Sequence, residues 1–321
     1  MRSSPAANDG RIKINKLRNI FFAKWPRPCY KIAVVKVNVP IRMASWAAGA
    51  FLAFLACPTF IVAGDPPAIN LANVSTRLAV GTGDNVLIAG FIITGTQPKR
   101  VIVRGLGPLL PVSENLADPT LELHGSSGVV TNDNWRDTQE AELKAAIPPT
   151  NDYESAIVKS LTPGNYTAVL AGKGGTTGVG LVEVYDLDLT VDSKLANIST
   201  RGFVGQDDNI LIGGTIVLGT GTTTVVFRAL GPSLSGAPYN IPNALKDTTL
   251  ELHNGQGGII GTNDNWQESQ DQGAAIPANL RPPDPHEAAI VRDLTAGAYT
   301  AIVRGKDNST GVALIEAYQI N

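Results

Sequence analysis

With 321 residues, 43% of them apolar and only 17% charged, the chain has room for one to three domains and enough apolar surface to exclude disorder throughout. Its 33 Gly and 21 Pro exclude an architecture of long helices and favour short strands joined by tight turns. The formal net charge of -2 hides an asymmetry: ten of the 26 basic residues but only one of the 28 acids, Asp9, precede Met43, so the remainder carries about -11, a balance that argues against nucleic acid or an anionic membrane as partner.

Taken in chain order, the first element is a leader, residues 1–64. Basic residues run to Arg42, an apolar stretch covers residues 44–62, and Val62-Ala63-Gly64 supplies small residues for cleavage before Asp65. This order predicts export to the periplasm, the cell surface or the medium. A retained membrane anchor is the rival reading, since the stretch is almost long enough to span. Both cysteines, Cys29 and Cys57, lie in the leader, so the mature chain is expected to hold no thiol and no disulfide. Phe54-Leu55-Ala56 before Cys57 and Pro58 after it make a poor lipoprotein signal.

The rest of the chain is one unit written twice. Leu71-Ala72-Asn73-Val74-Ser75-Thr76-Arg77 returns as Leu195-Ala196-Asn197-Ile198-Ser199-Thr200-Arg201, and Thr131-Asn132-Asp133-Asn134-Trp135 returns as Thr262-Asn263-Asp264-Asn265-Trp266. Arg104-Gly105-Leu106-Gly107-Pro108 likewise matches Arg228-Ala229-Leu230-Gly231-Pro232. A period this long suits a self-contained domain rather than a solenoid repeat. The expectation is therefore two domains in series, residues 65–188 and 189–321, with residues 187–194 as linker.

Within the first copy, residues 85–93, 100–106, 120–124, 155–161, 166–171 and 178–185 are β-branched or aromatic-rich runs bounded by Gly, Pro, Asn and Asp. Adding the Leu71 segment and Val129-Val130 predicts about eight strands, an all-β sandwich of jelly-roll type, with a core from Leu87, Val103, Leu123, Ile157, Tyr166 and Leu181. One short helix is expected after Asp137 or Thr138, stopped by Pro148-Pro149, and a weaker one in the second copy, where Gly273 intervenes. The Gly-rich residues 172–178 and 219–221 lack the lysine and spacing of a phosphate loop and read as hairpin turns.

The repeated landmarks resemble a tandem repeat of large secreted proteins of environmental bacteria. From residue 118 to 185 the pattern is also similar to the bacterial pre-peptidase C-terminal domain, through its Leu-X-Leu strand, Asn-Asp loop and Pro-Gly-X-Tyr turn. The resemblance implies an accessory module for binding, spacing or calcium-dependent stability.

Catalytic patterns fail one by one. His286-Glu287-Ala288-Ala289-Ile290 lacks the second His of a zinc-protease motif, and Gly231-Pro232-Ser233-Leu234-Ser235 lacks the closing Gly of a nucleophile elbow. His124 and His253 read as strand ends. The candidate metal site is Asn132, Asp133, Asn134 and Glu154, repeated as Asn263, Asp264, Asn265 and Glu287: an Asx-rich loop facing a glutamate offers the oxygen ligands calcium needs. Asn-Asp-Asn closing a turn on its own side chains is the plain alternative. Trp135 and Trp266 are candidate ligand contacts, as stacking platforms for sugar rings, or else packing residues. Arg104 with Glu183, and Arg228 with Glu316, are expected either as buried pairs that fix strand register or as charges on opposite solvent faces. The function these features suggest is a non-enzymatic surface or extracellular module for adhesion, matrix structure or contact with a polysaccharide or surface protein. A glycan-active sandwich enzyme is the rival, which would show a cleft with paired acids.

Overall fold

The computed structural model describes residues 69–207, 209–268 and 275–320; the leader, with both cysteines and the expected cleavage point, lies outside them. The chain is all-β. The first copy folds into β1 (Asn70–Val80), β2 (Leu87–Thr94), β3 (Lys99–Leu106), β4 (Pro119–Gly125), β5 (Gly128–Asn132), β6 (Ser155–Leu161), β7 (Gly164–Gly172) and β8 (Gly178–Asp186), with a short helix α1 (Glu140–Ala145) before β6. The second copy repeats the series as β9 (Lys194–Val204), β10 (Leu211–Leu218), β11 (Thr223–Leu230), β12 (Thr248–Asn254), β13 (Ile259–Asn263), β14 (Ala288–Leu294), β15 (Gly297–Gly305) and β16 (Gly311–Gln319). Each run of apolar and β-branched residues singled out in the first copy overlaps one of these strands. The helix starts slightly later than expected: neither Asp137 nor Thr138 caps it, and Gln139 stands at its N-cap without a side-chain bond to a helix amide. Most of the segment expected to hold the weaker second helix, residues 269–274, lies outside the described residues.

Strand pairing departs from two sandwiches in series. One antiparallel ladder runs β5-β4-β7-β2-β9-β16-β11-β14, and a second runs β13-β12-β15-β10-β1-β8-β3-β6. Each ladder takes half its strands from each copy. The crossings are made by the two equivalent first strands: β1 pairs with β8 of its own copy and β10 of the other, and β9 pairs with β16 of its own copy and β2 of the other. The ladders touch in register at Leu71 opposite Leu195, and Thr76 Oγ1 meets Thr200 Oγ1 at 2.8 Å. Both contacts join equivalent positions of the repeat, so a pseudo-two-fold axis passes between β1 and β9.

Most connections carry the chain from one ladder to the other. The Gly-rich segments expected as hairpins are crossovers of this kind: β7 and β8 belong to different ladders, as do β10 and β11. Gly174 and Gly175, with φ of +64° and +80°, let the chain turn sharply between β7 and β8, a conformation that costs glycine little. Hairpins of neighbouring strands do occur at β4–β5 and β12–β13.

Between the ladders lies one continuous core drawn from both copies. It contains Leu87, Val103, Leu123, Ile157 and Tyr166 with Leu211, Phe227, Leu252, Ile290 and Tyr299. Leu181, expected there, instead packs on the outer face with Leu106, Leu110 and Val179. At the pseudo-axis the repeat is not symmetric: Leu78 of β1 is buried where Gly202, its counterpart in β9, leaves room, and a Cβ at Gly202 would collide with the Leu78 methyls.

Candidate functional site

The loop between β5 and β6 is folded back over the outer face of β3, β6 and β8. Trp135, Leu143 and Ile147 from the loop and α1 bury themselves against Ile102, Ala156, Val158 and Tyr185. Apolar burial of this size holds the loop down, and it explains why β3 and β8 are buried on both faces. Trp135 is 3% exposed and its Nε1 donates to the Asn151 carbonyl at 3.1 Å, so its ring is a packing element and not a platform open to a sugar. Arg136 stacks over it at 4.2 Å from the ring centroid. Trp266 is half-buried, packs on the cluster of Val226, Ile276 and Ala289, and donates to the Asp284 carbonyl.

The candidate cation residues separate into three jobs. Asn132 is buried and ties the loop to the sheet, donating to the Asn134 carbonyl at 3.0 Å and accepting from the Ala156 amide at 2.8 Å. Asn263 repeats both bonds with Asn265 and Ala289. The Glu154 carboxylate, also buried, accepts from the amides of Thr150 and Asn151 at 3.2 Å. Burial raises its pKa above the ordinary range, against these amides, the Gly107 amide and Arg104. Glu287 is likewise enclosed, by the Gly231 amide and by the amide and hydroxyl of Ser233. The pairing of Glu154 with Asp133, and of Glu287 with Asp264, expected from sequence is thus replaced: Glu154 is held by amides and Glu287 by amides and a hydroxyl, while each aspartate turns to a lysine.

That lysine is the third job. Lys173 Nζ lies 2.7 Å from Asp133 Oδ2 and 3.6 Å from Asp118 Oδ2, and Lys306 Nζ lies 2.7 Å from Asp264 Oδ2 and 3.8 Å from Asp247 Oδ2. Asp133 first, with Asp118 assisting, pushes the Lys173 ammonium above its usual pKa, and Asp264 and Asp247 do the same to Lys306. Six side-chain oxygens in these two clusters are enclosed without a hydrogen-bond partner: Oδ1 of Asp118, Asp133 and Asn134, and Oδ1 of Asp247, Asp264 and Asn265. Asn134 and Asn265 otherwise donate to Asp137 and Glu268 within their own turns. Among the described residues, no group of three or more His, Cys, Asp and Glu is gathered as a metal set.

The charge pairs fixing register are present in both copies. Arg104 stands opposite Glu183 across β3–β8, donates to it from Nε at 2.9 Å and from Nη2, and lies over the Tyr185 ring. Tyr185 in turn donates to Glu183 Oε1 at 3.1 Å, and burial first, then Glu183, pushes its hydroxyl pKa far above the ordinary value. Arg228, Glu316 and Tyr318 repeat the arrangement across β11–β16. Beside Arg104 and Glu154 a cavity of about 20 Å³ is large enough for a water and far too small for a sugar ring. A shallow groove between β5 and β6, about 280 Å³, is lined by Val130, Thr131, Thr138, Gln139, Ile157 and Lys159, without a carboxylate. Neither space presents the two facing acids that glycoside hydrolysis needs.

No protein-family profile matches the chain, and no curated protein matches it. Among solved structures it is similar to a DUF4785 family protein from Legionella pneumophila subsp. pneumophila str. Philadelphia 1, at 10% identity and a TM-score of 0.23. The alignment covers 78% of this chain and 63% of that one.

Proposed function

We propose that this chain is an exported, non-catalytic surface or extracellular module that serves adhesion, matrix structure or contact with a polysaccharide or surface protein. The observation that carries the reading is the strand pairing: two ladders run through both copies without a break, so load applied at one end passes through backbone hydrogen bonds and not through a flexible linker. In this reading the copies are jelly-roll-like units fused by their first strands. The repeated charges support it, because Arg104, Glu183, Glu154 and their counterparts are consumed in holding strands and loops.

Calcium belongs to this reading as a competitor of lysine. Two aspartates and an asparagine in each copy carry an enclosed oxygen without a hydrogen-bond partner, and hard cations prefer such oxygen ligands. The test is a binding screen of the mature protein over glycans and surface proteins, with calcium in one arm and chelator in the other. Saturable binding without product formation supports the module; release of sugar fragments from any glycan overturns it in favour of a hydrolase or lyase. Export is tested by the mass of the native protein, which should place its N-terminus near Asp65.

A further inference from the structure

The first copy contains a buried ion pair that the second does not. Lys99 opens β3 and is 1% exposed, and its Nζ lies 2.8 Å from Oδ2 of Asp186, the last residue of β8. The Asp186 side chain is 2% exposed. In the second copy the equivalent positions are Thr223 and Gln319, so the repeat itself does not require a charge here. A buried ion pair is an expensive way to join two neighbouring strands, because desolvation consumes much of its attraction.

Two further contacts hold the pair for chemistry. The Asp188 carbonyl accepts a second hydrogen bond from Nζ at 2.6 Å, fixing the amine, and the Asp188 amide donates to Asp186 Oδ1 at 2.8 Å, fixing and polarising the carboxyl. The strands are locked around it, with Val101 opposite Asp186 and Lys99 opposite Leu161. Groups held this way react as though at concentrations on the order of 10⁵ M or more, and enclosure keeps water from competing.

We propose that Lys99 and Asp186 join in an intramolecular isopeptide bond that staples β3 to β8. A proton passes from Nζ to the carboxylate across their hydrogen bond, leaving a neutral amine and a neutral acid. The Nζ lone pair then forms a C–N bond at Cγ. A second Nζ proton moves to the departing hydroxyl, the C–O bond breaks and one water leaves, so ammonium plus carboxylate become amide plus water with no other reactant. Burial raises the Asp186 pKa and so favours its neutral acid. The product is a neutral amide in place of two buried charges.

Tryptic mapping of the folded full-length protein reads the bond directly. Acylated Lys99 resists cleavage, so the expected species is residues 78–100 joined to residues 174–194, lighter than the two free peptides by one water. Lys99→Arg and Asp186→Ala should each release the second peptide unlinked. Recovery of residues 78–99 and 174–194 from the wild type only as separate peptides of full mass would overturn the proposal.

Discussion

Lys173 and Lys306 decide how the repeated Asn-Asp-Asn loops behave. In the wild type each ammonium bridges two aspartates, so added calcium has to displace it. Replacing both by Met leaves Asp118 with Asp133, and Asp247 with Asp264, as uncompensated neighbours around enclosed oxygens. We expect Lys173→Met/Lys306→Met to melt lower in chelator and to regain stability in calcium, by about 2.7 kcal/mol at a hundredfold excess over Kd. The same calcium should move the wild type much less, and equal shifts in both proteins would refute the lysine's role. A second residue-scale effect is linkage at Glu154. Its folded pKa is raised, chiefly by burial, so between the ordinary carboxylate value of about 4.3 and the higher folded value the native state binds more protons than the unfolded one. Stability from this group is therefore present below that window and lost as pH climbs through it. Glu154→Gln should flatten that part of a plot of melting temperature against pH. The lysines were missed in the sequence because each is some forty residues from its loop. They were nonetheless legible, for Gly172-Lys173 and Gly305-Lys306 stand at the same landmark in both copies, as do Asp118 and Asp247.

At the scale of single elements, β6 shows how an edge is kept from recruiting another chain. Gln139 accepts from the Val158 amide at 3.0 Å and returns a bond to the Val158 carbonyl at 2.8 Å, while Asn132 takes the Ala156 amide. Side chains thus occupy the places a further strand would use. The same side chain stands at the N-cap of α1 without capping a helix amide, because its carbonyl oxygen accepts from β6. The β3–β8 pair illustrates the opposite case, a central contact whose worth lies in its charges. Arg104→Met leaves Glu183 buried without its cation, and losses of about 3–5 kcal/mol are typical of such orphaned charges. Denaturant unfolding should show that loss for Arg104→Met and a smaller one for Arg104→Met/Glu183→Met. A double variant as unstable as the single one would mean that packing, and not charge, sets the cost. Strands were readable because their signal is local: β2 alternates buried and partly exposed residues along its length, a period that sequence carries by itself.

Across the whole molecule, the pairing partner of β1 was not readable, for a physical reason. Residues 71–77 and 195–201 differ only by Val74 and Ile198, so β1 and β9 offer nearly the same edge and the same faces to any neighbour. Local pattern cannot tell pairing within a copy from pairing across copies when the copies are this alike. The consequence is measurable. With one core and shared ladders, calorimetry should show a single cooperative transition. Two separated transitions would show the copies unfolding as independent units despite their shared strands.

The Leu78–Gly202 contact gives the duplicated chain a memory of which half is which. Placing a second Leu at the axis by Gly202→Leu should overpack it, at about 1–3 kcal/mol, and adding Leu78→Gly should recover most of that loss. A pair made from two first copies would force two leucines into space for one, and a pair made from two second copies would leave a hole. Once a symmetric ancestor acquired one such glycine, neither half could replace the other by recombination without damage. The tandem would then be inherited as an indivisible heterodimer on one chain.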